Sequence, residues 1–320
     1  MKNLFKYTLD NKRYHTYNYF LKTKYHQKVA KVTLNADFTC PNRDGRLGYG
    51  GCTFCGSQGA GEYAGDVNDD LMTQFFQQSQ IMRRKWPDCA FIAYFQAYTN
   101  TYASLDVLKS RFEPFVGLDH VVGIAIATRA DCITEEIAAY LADLNTRTDV
   151  YLELGLQTIH DETAKRVNRC ETFATFQKGL ALLRKYHLDV CVHIINGLPG
   201  ETYEMMLETA RQVGKLDIQG LKIHSLYIMK HTKLYYEYLE KPFPTLSREE
   251  YIALVVDQLR LIPDHVVIER LTGDAMVSEL YLPEWSINKT TILNDIDKLM
   301  VKQDVYQGDL ISPSIYIKED

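Results

Sequence analysis

Residues 121–156 read VVGIAIATRADCITEEIAAYLADLNTRTDVYLELGL, and this stretch decides the fold class. Val121 to Ala127 is an apolar run of strand length. Thr134-Glu135-Glu136 opens a helix in capping-box style that runs to about Asn145. Val150 to Leu156 is a second apolar run. Strands so continuously apolar are buried on both faces, and a helix between them makes them parallel. The alternation extends outward in both directions. Upstream, Val29 to Leu34 is a strand and Asp69 to Lys85 a helix ended by Pro87; Cys89 to Phe95 is a strand, and Ser104 to Phe112 a helix with Ser104 as its N-cap. Downstream, Asp161 to Val167 and Phe173 to His187 are helical, Asp189 to Ile195 a strand and Glu201 to Val213 a helix; Gly220 to Ile228 is a strand and Lys233 to Leu239 a helix. These strand–helix units imply a parallel α/β sheet, either doubly wound or an incomplete barrel, and periodicity leaves both open.

The texture changes after Pro242-Phe243-Pro244. Ser247 to Leu261 reads as a helix, His265 to Leu271 as a strand and Ile287 to Val301 as a helix. The expected organisation is an N-terminal extension over 1–27, a core over 28–240 with its cysteine loop at 39–65, and a C-terminal extension over 241–320 that closes the core. With 320 residues, 46% hydrophobic and 24% charged, the chain can bury a large core, which excludes disorder, collagen and a simple coiled coil. It has no apolar run of membrane-spanning length, and Met1 to Tyr7 has no secretory apolar region, so the expected compartment is the cytoplasm. The net charge of −5 argues against a protein that coats nucleic acid, while leaving room for a local basic groove. Of the aromatics, 22 are Tyr, read as core edge and amphipathic surface or as stacking partners for bases.

In parallel α/β sheets, chemistry collects in loops at the carboxyl ends of the strands. The unusual residues fall there: the cysteine loop, then Gln96 to Thr101, Thr128 to Asp131, Gln157-Thr158 and Asn196 to Gly200, with Lys222 and His224 on the sixth strand. Cys40-x11-Cys52-x2-Cys55 is the central constellation. Closed zinc sites take four ligands, and a fourth here is weak: His26 lies upstream and Cys89 on a buried strand. Three cysteines in one loop suit a four-iron, four-sulfur cluster with one iron left open. Cys89, Cys132, Cys170 and Cys191 read as small apolar fillers, with Cys132 near the active rim.

These residues resemble the radical S-adenosylmethionine (SAM) superfamily, in which three cysteines hold a [4Fe-4S] cluster in a partial (β/α)6 TIM-like barrel. The usual spacing there is C-x3-C-x2-C. The eleven-residue first gap departs from it and agrees with a subgroup related to the elongator catalytic subunit, while Phe54 keeps the aromatic before the last cysteine. Closer still is the resemblance to the bacterial YhcC/YtqA-like (MnmL-type) family. It rests on Thr39 to Gly45, Gly50 to Cys55, Tyr94 to Thr101, Ile126 to Cys132, Glu153 to Thr158, Asn196 to Glu201 and Arg270 to Asp274, spanning roughly residues 14–305.

The resemblance implies that Cys40, Cys52 and Cys55 ligate the cluster and that Gln96, Tyr98 and Thr99 lie where the SAM amino group binds, although the common GGE signature is absent. Glu153 and Gln157, four apart on a strand and so expected on one face, would meet the ribose or methionine of SAM. Arg129 would hold the SAM carboxylate, or else pair with Asp131. Gly197 and Pro199 would shape the loop beside the adenine, and Arg169 would reach the cofactor or lie on the surface. Lys222 and His224 would face the substrate, or else be hydrogen-bonded core polars; His193 reads as a core histidine. Arg270, with Thr272 and Asp274, is substrate-facing or structural.

The resemblance also points to transfer RNA: conversion of carboxymethylaminomethyl-uridine at the wobble position to aminomethyl-uridine through a deoxyadenosyl radical. It implies an electron donor such as flavodoxin or ferredoxin, and a downstream methyltransferase acting on the same base. Lys2, Lys6, Lys12, Arg13, Lys22, Lys24 and Lys28 would hold phosphates or form a solvated face. The rival classes are a radical SAM enzyme acting on a small metabolite and a zinc-stabilised binding protein.

Overall fold

The computed structural model describes residues 3, 5–57, 59, 61 and 63–311. In chain order come α1 (Tyr17–Tyr25), β1 (Val29–Leu34), α2 (Leu71–Lys85), β2 (Ala90–Phe95), α3 (Leu105–Phe112), β3 (Val121–Thr128), α4 (Glu135–Asn145) and β4 (Asp149–Gln157). Then follow α5 (Asp161–Arg166), α6 (Phe173–Lys185), β5 (Asp189–Asn196), α7 (Tyr203–Val213), β6 (Gly220–Ser225), β7 (Ile228–Met229) and α8 (Lys233–Glu240). The last are α9 (Arg248–Arg260), β8 (Val267–Arg270), β9 (Leu280–Leu282) and α10 (Lys289–Gln303). Among the described residues the main sheet runs β1-β2-β3-β4-β5-β6-β8, with β7 and β9 in a separate antiparallel pair.

Contacts divide the described residues into two compact units, one of those up to 20, 157–167 and 192–311, the other of those within 21–156 and 168–191. In the second unit β1, β2, β3 and β4 pair in parallel, with Lys31 opposite Ile92, Tyr94 opposite Ala125 and Ala127 opposite Glu153. One face of these strands is packed by aromatics. Phe95 meets Phe112 and Phe115 at 4.8 and 5.5 Å, and Phe75 meets Phe91 at 5.8 Å, all edge-on. The other face carries Lys31, Tyr94 and Glu153, and between β2 and β4 the β3 residues beside them, Gly123, Ala125 and Ala127, are small. A side chain at Gly123 would meet the Asp149 carbonyl at 2.8 Å. In the first unit, β6 and β8 are parallel, and Tyr251 of α9 is fully buried with its hydroxyl donating to the Leu271 carbonyl at 2.7 Å.

Helix starts follow side-chain caps. Asp70 accepts from the Met72 and Thr73 amides, and Ser247 with Glu250 forms a reciprocal capping box. Two expected caps differ. Ser104 makes no side-chain bond, and Thr134 caps through the Ile137 amide without a reciprocal partner. The expected strand to Ile228 stops at Ser225, because Leu226 turns to donate to the Asn196 carbonyl and Ile228–Met229 then pairs with β9.

Candidate active site

The cysteine loop of the second unit closes on itself. The Gly51 amide donates to the Asn42 carbonyl and the Leu47 amide to the Pro41 carbonyl, both at 2.8 Å, and Asp44 bridges Tyr49 antiparallel. These bonds pinch residues 43–50 out as a small hairpin. Positive φ at Gly45, Gly50 and Gly51 (95°, 78° and 80°) makes its turns possible. Across the pinch only Pro41, Asn42 and Gly51 separate Cys40 from Cys52. The eleven-residue gap thus becomes a three-residue step, and the Cys55 amide donates to the Cys52 carbonyl at 3.0 Å in the turn that follows.

Two braces hold this loop. Asn168 donates to the Gly51 and Tyr49 carbonyls at 2.8 and 3.2 Å, and Asn42 donates back to the Asn168 carbonyl. Asn42 is fully buried, its Nδ2 lies 3.7 Å from Cys52 Sγ and its Oδ1 has no hydrogen-bond partner. On the other flank, Arg43 donates to the Gly56 and Cys55 carbonyls and stacks over Tyr98 at 5.3 Å. Tyr98, at φ 62°, donates to the Ser57 carbonyl, and the Thr99 amide donates to the Thr39 carbonyl at 3.2 Å. Gln96 to Thr99 is therefore built onto the cysteine loop. None of the seven cysteines is in a disulfide. Among the described residues no three His, Cys, Asp or Glu side chains converge on one point, so the three cysteines share a loop without converging.

Arg129 is buried, and its Nε and Nη2 grip Asp131 at 2.8 and 2.5 Å while Nη1 donates to the Arg169 carbonyl at 3.0 Å. Burial works against its charge, but the Asp131 bond and the charges of Glu171 and Asp131 raise its pKa above that of an ordinary arginine. Burial would push the Asp131 carboxyl up; Arg129 overrides this and holds it below the usual range. The pairing with Asp131 is thus the one present. Arg169 is not a surface residue: it is buried, paired with Glu171 at 2.6 Å and bound to the Gly155 carbonyl. Glu171 also accepts from the Asp131 amide.

Cys170 corrects the reading of a small apolar filler. It is exposed and left-handed (φ 53°), beside the cysteine loop, where a side chain on Gly48 would meet Cys170 Sγ at 2.8 Å and Asn42 Oδ1 at 2.5 Å. Cys89, Cys132 and Cys191 are buried as expected. Burial and the Asp131 charge push the Cys132 thiol up, which keeps it protonated and inert. Glu153 is 1% exposed and accepts from Lys31 Nζ and the Tyr94 hydroxyl, both at 2.5 Å. Gln157, four residues on, closes β4 in a left-handed conformation at φ 74°.

In the first unit, Gly197 and Gly200 both turn at φ 89°, flanking buried Leu198 and Pro199. Thr158 donates to Glu201, whose carboxyl is raised by burial. Lys222 is buried with its ammonium 3.7 Å from Glu269, the arrangement of a core polar residue. His193 and His224 face each other with ring centres 5.7 Å apart. Arg270 and Lys289 both approach Asp274, at 3.8 and 2.6 Å. The basic run near the N-terminus is largely committed to protein carboxylates: Lys6 to Asp264, Lys12 to Asp297, Arg13 to Asp304 and Lys24 to Asp149. Lys2 lies outside the described residues.

Asn42, Arg43, Lys31, Tyr94 and Lys289 had not been singled out. For Lys31 a signal existed, a lone charge in the apolar strand VAKVTL.

The Radical SAM superfamily model matches residues 40–213, and the Radical_SAM C-terminal domain model residues 218–302. The chain belongs to the radical SAM superfamily. It is 47% identical to YtqA of Bacillus subtilis over 306 residues, which is 96% of this chain and 95% of that one. It is 34% identical to YhcC of Escherichia coli K12 over 294 residues, covering 92% and 94%. A shorter match, 29% over 156 residues, joins 48% of this chain to 33% of a tRNA uridine(34) acetyltransferase of Dehalococcoides mccartyi. Among solved structures, Methanocaldococcus infernus Elp3 with an N-terminal deletion gives a TM-score of 0.65 at 17% identity, covering 88% of this chain and 64% of that chain. That likeness resolves the choice left open by periodicity: the fold is α/β, of the partial-barrel radical SAM type. Membership makes the chain an enzyme whose cofactors are a [4Fe-4S] cluster and SAM, which sets aside the non-enzymatic zinc reading. The donor set fits: three thiols in one loop, none in a disulfide, stepped as the superfamily spaces them once the hairpin is pinched out. Among the described residues no helix is long and apolar enough to cross a membrane.

Proposed function

We propose that the chain modifies the wobble uridine of tRNA, converting carboxymethylaminomethyl-uridine to aminomethyl-uridine. Cys40, Cys52 and Cys55 hold the cluster, and the pinch between Asn42 and Gly51 is the observation that carries this assignment. When bound, cluster and SAM supply a deoxyadenosyl radical that takes hydrogen from the substrate. The residues of the chain bind, orient and insulate. Asn42 points an amide N–H at Cys52, and Arg43 sets a cation beside the carbonyls of Cys55 and Gly56. Gln96, Tyr98 and Thr99 contact SAM from the strand end that Arg43 and Thr39 tie to the cysteine loop. Arg129 and Arg169 act by clamping residues 129–131 to 169–171, and Glu153 keeps a carboxylate inside the sheet. Gln157, Gly197 and Pro199 are assigned to the nucleoside of SAM. His224 and Arg270 are assigned to substrate, with Lys222 supporting them through Glu269.

Support for tRNA comes from the similarity to the tRNA uridine(34) acetyltransferase of Dehalococcoides mccartyi. An anticodon base is already single-stranded, so presenting it to an enzyme costs little. We further assign a cytoplasmic setting, a flavodoxin or ferredoxin as electron donor and a methyltransferase that consumes the product. The test is anaerobic. The protein is reconstituted with iron and sulfide and given SAM, dithionite and tRNA from a strain lacking this gene; the digested nucleosides are weighed. Deoxyadenosine with aminomethyl-uridine supports the proposal. Deoxyadenosine with unchanged nucleosides refutes the tRNA assignment and points to a small metabolite.

A further inference from the structure

Two stretches of the chain hold no acidic residue, 11–36 and 71–87, although acids outnumber Lys and Arg by 41 to 36 overall. The second unit brings parts of these stretches together. Lys28 precedes β1, Lys85 and Trp86 close α2, and the Ala90 amide that opens β2 donates to the Lys28 carbonyl at 2.9 Å. The ammonium groups of Lys28 and Lys85 both lie against the indole of Trp86, 4.6 and 4.7 Å from its centre. Arg83 rests its guanidinium over Phe91 at 5.2 Å, and Arg84, Lys85 and Lys22 stand exposed. Five cations thus gather at the amino ends of β1 and β2.

Local structure accounts for part of this charge. Cations suit the last turn of a helix, and the ends of α1 and α2 each offer about half a negative charge. Asp88 adds one carboxylate in the turn before β2. Together these offset about two of the five cations. The rest repel one another. Lys28 is held below the ordinary lysine range by burial and by the charges of Lys22 and Lys85, and no carboxylate is among the charges that act on it. Lys24, between them in sequence, is paired with Asp149 and takes no part.

The patch and the cysteine loop lie at opposite ends of β1, which is six residues long, so about 20 Å of strand separates them. A ligand small enough to fit a reaction site cannot touch both ends. A polyanion of nucleic-acid size can. We propose that Lys22, Lys28, Arg83, Arg84 and Lys85, set around Trp86, dock the phosphate backbone of tRNA at a distance from the base being modified. This rests on the wobble-uridine reading and deepens it. Phosphate contacts fix the position of a nucleic acid without reading its sequence, which suits cations braced on aromatic rings. An acidic electron-carrier protein would be drawn to the same charge, yet it must bring its redox group to the cluster, and the cysteine loop is at the other end of the strand.

The test compares the full, cluster-loaded protein with Lys22→Gln/Arg84→Gln/Lys85→Gln. The control, Lys178→Gln/Lys215→Gln/Lys302→Gln, removes the same charge from exposed residues elsewhere. Each is titrated with tRNA from a strain lacking this gene over a range of salt. At about 0.1 M salt the patch variant binds about tenfold more weakly or worse, and its slope of log affinity against log salt flattens by about 2 to 3. The control loses less than about threefold and keeps its slope. The melting temperature of the patch variant is unchanged or higher, because mutually repelling cations are gone; cations that served only the helix ends would lower it on removal. Wild-type affinity and slope in the patch variant, an equal loss in the control, or a lowered melting temperature overturns the proposal. Normal tRNA binding with slower reduction of the cluster by flavodoxin also overturns it and gives the surface to an electron carrier. Conversion is read in the same samples with dithionite as reductant. A wild-type protein that converts no wobble uridine refutes the parent reading, whereas wild-type conversion with an unaltered patch variant refutes only this inference.

Discussion

Lys31→Met probes how Glu153 is tolerated inside the sheet. At 2.5 Å, the Lys31–Glu153 pair attracts by about 7 kcal/mol at an effective dielectric of ~20. Removing the two ions from water costs several kcal/mol each, so the intact pair lies near break-even. Deleting one partner keeps the cost for the other and removes the attraction, typically a loss of about 3–5 kcal/mol. The Lys31 side chain is 16% exposed and Tyr94 still donates to Glu153, which places Lys31→Met at the lower end, about 3 kcal/mol. Lys31→Met/Glu153→Leu restores all but about 1 kcal/mol, because no carboxylate then remains buried. The assay is urea unfolding of the cluster-free chain, reading the midpoint at constant slope. A loss below about 1 kcal/mol for Lys31→Met, or strict additivity in the double variant, refutes the reasoning. So does Glu153→Gln if it leaves the midpoint unmoved and weakens SAM binding tenfold, since the carboxylate would then serve the cofactor directly.

Arg129→Lys loses the two-pronged grip on Asp131 and costs about 2–4 kcal/mol. It also moves acid unfolding to higher pH: a carboxyl held low stabilises above its unfolded value and loses that stabilisation as pH falls through the folded one, and Arg129 holds it low. Gly179→Ala drives a methyl into the Ala130 carbonyl and costs about 2–3 kcal/mol by denaturant titration. Glu201 has the opposite sign from Asp131. Its carboxyl is raised by burial, so protonation favours the folded state and that gain fades as pH rises through the folded value. Glu201→Gln therefore gains on wild type in thermal melts taken from pH 5 to pH 8, and a constant difference contradicts the assignment. Cys52→Ala folds but makes no deoxyadenosine from SAM; an unchanged rate contradicts the cluster assignment.

The alternation of strands and helices was legible because each element carries its own period and caps. The strand at 121–128 and the helices opened by Asp70 and Ser247 follow from local chemistry alone. Pairings set by tertiary contact were not. β7 and β9 are two and three residues long, too short for a pattern, and α1 has little amphipathic contrast. The cysteines were found as a set, yet their spacing looked anomalous because the bond from Gly51 to Asn42 leaves no trace in composition. Arg129 was ambiguous for a like reason: a guanidinium binds any carboxylate, and only the structure shows that Asp131, two residues away, takes it.

The hairpin over 43–50 separates two lengths that are one in most loops, the length of chain and the reach between anchors. With residues 42 and 51 bonded, the span from Cys40 to Cys52 no longer depends on how many residues lie beyond the pinch. Closing a loop twice as long costs only about 0.6 kcal/mol more. The hairpin tip can therefore lengthen or shorten freely, acquiring contacts of its own, while the geometry of the thiols stays fixed. Chain added between Cys52 and Cys55 has no such shelter.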